Sequence, residues 1–313
     1  MKRQLIDSGL ILLAAIIWGT AFVAQNRALQ YLQPCTQLAL RSWIGAIVLL
    51  PFCFLADRSM KHNGGIPKGY RKMLLIAALT SGGTLGLGSI FQTMGIAITS
   101  VGKSGFLTAL YMLIVPFMAW ALGKRPSRLI WLAVAVTLAG MYLLCIKPEE
   151  GFSLAIGDIY LIICAVFLAA QIIAIDRYAV SLNGFQVSCA QMLVISVMTT
   201  IPALIFEHTS WENLRLGLWP TVYVGVFSNA IAFTLQIAGQ KHSPPAVASL
   251  LMSTESVFAA LFGWLILKER LADRELLGCA LVFAAVLIVQ VPGFVMMFRA
   301  NRMKKQGGEI KPS

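Results

Sequence analysis

The stretch PPAVASLLMSTESVFAALFGWLILKER, residues 244–270, places one carboxylate, Glu255, in the middle of an otherwise apolar helix, and the rest of the chain is organised around it. At ~1.5 Å of rise per residue, Glu255 lies near the centre of a ~30 Å hydrocarbon layer. A charge at that depth is costly and normally faces a polar interior, where it often takes part in function. We therefore predict a functional site around Glu255. The alternative is a buried acid that is paired only for packing.

The composition places the rest of the chain in the membrane as well. Of 313 residues, 58% are hydrophobic and only 12% are charged, against roughly one quarter charged in soluble domains. Apolar stretches recur along the whole sequence and leave no room for a separate soluble domain. The net charge of +12 is carried mainly at segment ends, without a basic helix or a basic and aromatic run. We therefore expect a lipid bilayer and a small-molecule substrate as partners, and no nucleic acid.

Ten apolar segments are long enough to span a bilayer. The predicted spans are 8–28, 35–56, 72–97, 100–122, 128–146, 156–176, 184–206, 217–240, 245–267 and 275–297. Most Lys and Arg residues fall in the loops on the side of the two termini, which predicts a cytoplasmic (inner) membrane protein with both termini cytoplasmic. The polar segment 298–313 is predicted to be a disordered cytoplasmic tail.

The two halves of the sequence resemble each other. A shift of 145 residues brings ITSVGKSGFLTAL (98–110) over 243–255, and a shift of 144 brings Gln92 onto Gln236. Five helices repeated once give two halves of opposite orientation, because five is odd. Inverted repeats are typical of transporters whose substrate site lies between the repeats near the bilayer midplane. The predicted fold is an all-α membrane protein of ten transmembrane helices in two inverted five-helix repeats, 1–150 and 151–297.

Several of these segments resemble a known family. GKSGFLTALYMLIVP (102–116), followed by GKRPSR, and AVASLLMSTESVFAALFGWLILKERL (246–271) are similar to the paired motifs of the drug/metabolite transporter superfamily, EamA type. The resemblance implies a ten-helix permease that exports or exchanges metabolites such as amino acids. Many members have Glu-Pro where this chain has Glu255-Ser256, so the resemblance does not carry a proline kink over to this position. The shift of 145 also sets Leu110 opposite Glu255, which predicts that any acid chemistry is one-sided.

Polar residues that share a helix face predict the lining of a solute pathway. Besides Glu255, the candidate residues are Trp18, Gln25, Thr84, Gln92, Gln171, Asn229 and Gln236. Amides in such bundles also bond neighbouring helices to one another, which is the alternative for each of them. Tyr111 and Trp18 are candidates for stacking on an apolar or aromatic solute, with packing as the alternative.

Two charged residues complete the predicted site. Arg41 lies one or two turns inside the second helix, where snorkelling toward the interface or a structural pair is favoured over contact with a substrate carboxylate. Glu255 is the candidate coupling group of an alternating-access cycle. Desolvation favours its protonated form, whereas an amine substrate or Arg41 would hold it ionised, and both possibilities stay open.

The sequence lacks the patterns of catalysis and of cofactor or metal binding. Gly102-Lys103-Ser104 misses the first glycine of a phosphate loop, and the histidines and cysteines do not have metal-ligand spacing. We predict no catalytic residues, no cofactor and no metal, and hence a secondary or facilitative transporter. A polytopic membrane enzyme and a channel are the alternatives. Because both repeats are present in one chain, a monomer or a weak homodimer is expected.

Overall fold

The computed structural model describes residues 2–99, 101–146, 155–267 and 272–306, and the regular elements in these ranges are helices. The α-helices are α1 (Lys2–Leu29), α2 (Pro34–His62), α3 (Tyr70–Ala77), α4 (Gly83–Ile98), α5 (Val101–Thr108), α6 (Tyr111–Ala121), α7 (Arg128–Cys145), α8 (Ile156–Tyr178), α9 (Gly184–Phe206), α10 (Trp211–Tyr223), α11 (Phe233–Gly239), α12 (Pro245–Met252), α13 (Glu255–Leu267) and α14 (Asp273–Gln306). Two π-helical segments, Ala78–Gly82 and Val224–Ala232, join α3 to α4 and α10 to α11.

The surface of the bundle is suited to lipid. In the described part of the chain, nine helical stretches are long and apolar enough to cross a membrane, and they correspond in order to the first nine predicted spans. The tenth predicted span lies in α14, which packs along α7. Large apolar side chains such as Phe54, Leu204 and Trp219 are exposed on the outside of the bundle. The prediction of an all-α membrane protein is confirmed.

The helices repeat as two sets of seven, α1–α7 and α8–α14, so that each helix of the first set has a counterpart seven places later. Two helices pack against their own counterparts, α2 on α9 and α7 on α14. The other main contacts come in equivalent sets. Helix α1 packs on α10 and α11, and its counterpart α8 packs on α3 and α4. Helix α1 also packs on α12 and α13, and α8 packs on α5 and α6. Because each contact recurs when both helices are replaced by their counterparts, a pseudo-two-fold axis relates the two inverted halves, as predicted.

Two glycines show the same symmetry at the level of single residues. A Cβ atom at Gly95 would lie 2.6 Å from Cγ of Leu161, and a Cβ atom at Gly239 would lie 2.6 Å from Cγ1 of Ile11. Gly95 and Gly239 are 144 residues apart, and Ile11 and Leu161 are 150 apart. Both positions need glycine because the helices approach too closely for a side chain, which is how membrane helices commonly pack.

Carboxylates tie the two central helices together at both ends. The Oε2 atom of Glu207, just after α9, accepts hydrogen bonds from the backbone N–H and the hydroxyl of Thr36 in the first turn of α2, at 2.6 and 2.7 Å. At the other end of the bundle, Oδ1 of Asp57 in α2 accepts a hydrogen bond from Nε2 of Gln186 in the first turn of α9, at 2.6 Å. Both pairs of positions are 150 residues apart. The helices α2 and α9 therefore form an antiparallel pair that is fixed from each end.

Two spans are broken near their centres. Helix α5 ends at Thr108 and α6 begins at Tyr111, while α12 ends at Met252 and α13 begins at Glu255. The breaks are 144 residues apart, so Tyr111, and not Leu110, is the counterpart of Glu255. The shift of 145 was wrong here because it was fixed by loop residues ahead of the helices, and loops accept insertions.

The second break forms without a proline or a glycine. The hydroxyl of Ser253 donates to the carbonyl of Leu250 at 2.7 Å, and that of Thr254 donates to the carbonyl of Leu251 at 2.6 Å. Hydroxyls that bond the preceding turn compete with the backbone N–H groups for the same acceptors and bend helices. The absence of the family's proline at Ser256 therefore does not leave this span straight.

The end of the chain differs from its prediction. Helix α14 continues to Gln306, so 298–306 is helical and is not part of a disordered tail. The segment RANRMKKQ is rich in good helix formers, and basic residues favour the C-terminal end of a helix. Residues 307–313 of the predicted tail lie outside the described ranges, as does the seam between the predicted repeats within 147–154.

Candidate functional site

A cavity of about 80 Å³ lies between the two halves. It is large enough for several water molecules, because one water needs at least about 10–15 Å³ by this measure. Nine of the ten predicted site residues line it: Trp18, Gln25, Arg41, Gln92, Tyr111, Gln171, Asn229, Gln236 and Glu255. The rest of its wall is made of Ala21, Phe22, Leu168, Ile172, Ser228, Phe233 and Met252. Nine of the predicted residues therefore lie around one cavity, and their role in binding a solute stays a prediction.

Thr84 is the predicted site residue that the structure places elsewhere. It is outside the lining of the cavity, and its hydroxyl donates to the backbone carbonyls of Thr80 and Ser81 at 2.8 and 3.1 Å. These two carbonyls belong to the π-helical segment before α4. A threonine hydroxyl inside a helix commonly bonds the preceding turn in this way, so the shared face with Gln92 did not predict its contacts.

The centre of the cavity is formed at the two helix breaks. Glu255 begins α13 and Tyr111 begins α6, and both are buried, with 8% and 4% of their surface exposed. The phenol and the carboxyl group line the same cavity. The first turn of a helix favours a negative charge through its free N–H groups and its dipole. Two equivalent positions of the halves thus meet across the pseudo-two-fold axis, one as an acid and one as a phenol.

Arg41 provides the positive charge of the cavity. It is only 5% exposed, and Nη1 donates to Oε1 of Gln25 in α1 at 2.5 Å. Of the two favoured interpretations, the buried side chain fits the structural pair, with Gln25 as its partner, and not outward snorkelling. Depth along the helix alone did not reveal this, because the side chain points toward α1 and the cavity.

Three glutamines form an amide network on another wall of the cavity. Nε2 of Gln236 lies 3.2 Å from Oε1 of Gln171 and 3.1 Å from Oε1 of Gln240, and Nε2 of Gln240 donates to the carbonyl of Ile172 at 3.2 Å. Within the described residues, Nε2 of Gln171 and Oε1 of Gln236 have no hydrogen-bond partner. The amides therefore bond neighbouring helices, as the alternative predicted, and still offer a donor and an acceptor next to the cavity.

The remaining walls are aromatic or small. The rings of Trp18 and Phe233 meet edge to face, with centroids 5.2 Å apart. Nδ2 of Asn229 lies 3.4 Å from Oγ of Ser42. Ser228, which directly precedes Asn229, is a polar lining residue that was not among the predicted site residues. The cavity therefore combines one acid, one guanidinium, several amides and an aromatic surface.

Across the described ranges, no three His, Cys, Asp or Glu side chains lie close enough together to hold a metal ion. The six cysteines are free thiols.

Inverted halves around a cavity that contains a buried acid are typical of membrane transporters. Comparison with known proteins agrees. The sequence pattern of the EamA-like transporter family matches residues 8–146 and 155–291, once in each half. The chain belongs to the EamA-like transporter family, as its resemblance to the drug/metabolite transporter superfamily predicted.

Curated relatives extend over nearly the whole chain. It is 28% identical to an uncharacterized transporter of Archaeoglobus fulgidus, over 93% of this chain and 87% of the relative. It is 25% identical to the uncharacterized transporter YwfM of Bacillus subtilis, over 89% and 92%. A putative ribose uptake protein of Latilactobacillus sakei is 25% identical over 67% and 72%. A solved crystal structure with 19% identity superposes with a TM-score of 0.75, covering 93% of this chain and 98% of that one, and supports the fold.

Proposed function

We propose that this protein moves small metabolites such as amino acids across the cytoplasmic membrane by alternating access, as a secondary or facilitative exporter or exchanger. The observation that carries the proposal is the meeting of Glu255 and Tyr111 at the two helix breaks inside the cavity. In transporters with inverted repeats, broken helices at the midplane form the substrate and coupling sites, and the halves rock around them.

The shape of the cavity supports an outward-facing state. From Glu255 the lining extends to Gln25 and Arg41, close to the end of α1 and the start of α2. With both termini in the cytoplasm, as the charge distribution predicts, that end of the bundle faces the outside. The opposite state would open the cavity toward the cytoplasm.

The groups around the cavity suit a zwitterion with an apolar side chain. The Arg41 guanidinium can bind a carboxylate in a planar, two-pronged geometry, and the Glu255 carboxylate can bind an ammonium group. Trp18 and Phe233 offer an aromatic surface for the side chain. One cation and one acid neutralise each other in a buried site, so a solute that carries one charge of each sign leaves this balance intact.

Glu255 is the proposed coupling group. When Glu255 is protonated, the cavity has no negative charge. When it is ionised, its carboxylate can bind an amine. Protonation and amine binding therefore compete for the same oxygens. This competition would link a proton to the movement of a solute in the opposite direction.

Transport assays in vesicles test the proposal. The purified protein is reconstituted, and uptake of individual amino acids is measured with and without a pH gradient. We expect saturable uptake that depends on pH, and Glu255→Gln is expected to remove the pH dependence while the thermal stability of the protein is retained. The matched control is Glu212→Gln, an exposed acid in the first turn of α10, which is expected to behave as wild type.

Three outcomes would contradict the proposal in different ways. Unchanged pH dependence in Glu255→Gln would reject the coupling role. Chemical turnover of a solute without its movement would favour a membrane enzyme, and unsaturable flux without countertransport would favour a channel. Light scattering of the purified protein tests the expected monomer or weak homodimer.

A further inference from the structure

The cavity is asymmetric with respect to the pseudo-two-fold axis. At the centre of the cavity, both residues of an equivalent pair contribute to the lining. These pairs are Gln92 with Gln236 and Tyr111 with Glu255. Away from the centre only one member does. Arg41 lines the cavity, whereas its counterpart 150 residues later, Gln191, does not. The open volume therefore extends from the axis toward one end of the bundle, and the equivalent region at the other end is closed.

Gln191 in the closed region has unused hydrogen-bonding groups. It is 0% exposed, and among the described residues neither its Oε1 nor its Nε2 has a partner. Ser188, one turn earlier on the same face of α9, is also 0% exposed, and its Oγ is likewise unpaired. Burying polar groups without partners costs free energy, and native structures hold few of them. Three such atoms on one face of α9 offer hydrogen-bonding capacity that the described structure does not use.

The surroundings of Gln191 match those of Arg41. A Cβ atom at Gly82, in the first π-helical segment, would lie 3.1 Å from Cα of Gln191. A Cβ atom at Gly225, in the second π-helical segment, would lie 2.9 Å from the carbonyl oxygen of Arg41. Gln191 thus occupies the position in the closed half that Arg41 occupies in the open half.

We propose that Gln191 and Ser188 form a second half-site, which lines the cavity when the two halves exchange conformations and the cavity opens toward the other end of the bundle. The inference rests on the proposed alternating-access function. In a transporter with inverted repeats, the cavity opens to the other side when the two halves exchange conformations. A residue whose counterpart lines the cavity in one state therefore lines it in the other state. The amide and the hydroxyl then find their partners in water or in the solute.

The two half-sites differ in charge. The half-site at Arg41 offers a cation, which binds a carboxylate strongly, whereas the half-site at Gln191 and Ser188 offers only neutral donors and acceptors. A solute with a carboxylate would therefore be held more tightly on the side of Arg41. On the side of Gln191, neutral hydrogen bonds would bind the same group more weakly.

Accessibility of introduced thiols tests the half-site without knowledge of the solute. Gln191→Cys and Arg41→Cys are placed in the full-length chain and exposed in vesicles of either orientation to a charged, membrane-impermeant methanethiosulfonate. The labelled position is identified by peptide mapping, which separates the introduced thiol from the native Cys189. Val197→Cys is the matched control, because Val197 lies on α9 with an exposed side chain that faces lipid.

We expect Gln191→Cys to react at least about tenfold faster from the cytoplasmic side than from the outside, since the cavity opens to one side at a time. Arg41→Cys is expected to show the reverse preference, and Val197→Cys is expected to react from neither side. Ser188→Cys is nearly isosteric and replaces Gln191→Cys if that variant does not fold.

The result that overturns the half-site is distinct from failure of the proposed function. Labelling of Gln191→Cys from the outside, or from neither side while Arg41→Cys reacts, rejects the half-site even if amino acids are transported. One-sided labelling in a protein that transports none of the amino acids tested supports the half-site and rejects the proposed substrate.

Discussion

Substituting Gly239 by alanine tests the symmetric packing on which the cavity depends. The new Cβ atom would lie 2.6 Å from the backbone oxygen of Asp7 and 2.6 Å from Cγ1 of Ile11. Optimal carbon contacts lie at about 3.5–4.0 Å, so α1 and α11 would have to separate by roughly 1 Å. Overpacking of this kind costs about 1–3 kcal/mol, and the better helix propensity of alanine returns up to about 1 kcal/mol. We expect a net loss of about 1–2 kcal/mol.

The assay is thermal unfolding of the purified protein in detergent, followed by intrinsic fluorescence. By the scaling of globular domains to a chain of 313 residues, the expected loss lowers Tm by about 1.5–3 °C. The matched control is Gly105→Ala in α5, where a Cβ atom would meet nothing within 4 Å, and Tm is expected to be unchanged or slightly higher. Gly95→Ala, the symmetric counterpart, is expected to follow Gly239→Ala. Equal melting of Gly239→Ala and Gly105→Ala would refute the close approach of the helices.

Three further predictions concern charges at the ends of the bundle. Asp158→Asn is expected to lower the free energy of unfolding by about 1–3 kcal/mol, because the Asp158 side chain is only 1% exposed and its Oδ2 lies 2.6 Å from Nζ of Lys103. Lys124→Gln, in an ion pair whose lysine is 57% exposed, is expected to change it by less than about 1 kcal/mol. Glu207→Ala is expected to cost about 1–2 kcal/mol, measured by the same unfolding assay, because its carboxylate accepts three hydrogen bonds at the start of α2. Equal effects of Asp158→Asn and Lys124→Gln, or a wild-type Tm for Glu207→Ala, would contradict these roles.

Most of the fold could be predicted from the sequence because its main signals are long range and physical. The runs of apolar residues are set by the thickness of the bilayer. The repeat is visible in the equivalence of Gln92 and Gln236 at a shift of 144 residues. The helix breaks show the same shift in the structure. The breaks in the helices could not be predicted in the same way. Ser253 and Thr254 break their span through local hydroxyl bonds, and no proline or glycine in the sequence marks that position.

The site was predictable to the extent that polar residues in apolar helices turn toward one another. Nine of the ten candidates line one cavity because lipid excludes their polar groups. The exceptions depend on the rotation of each helix, which spacing does not fix. Thr84 uses its hydroxyl on the backbone of the preceding turn, and the burial of Arg41 against Gln25 decided between the two favoured interpretations, snorkelling and a structural pair. The counterpart of Glu255 was missed by one residue, because the shift of 145 was fixed by loop residues ahead of the helices.

The exchange of packing partners between the halves also has a consequence for biosynthesis. Helices α1, α2, α4 and α7 find their main neighbours in the second half of the chain. A ribosome that has released only the first five spans has therefore delivered helices whose close-packing faces, including Gly95, still meet lipid. The first half is expected to stay loosely associated, and open to quality-control proteases, until α8 to α14 have been inserted. The two repeats are thus one folding unit, although the sequence divides into two.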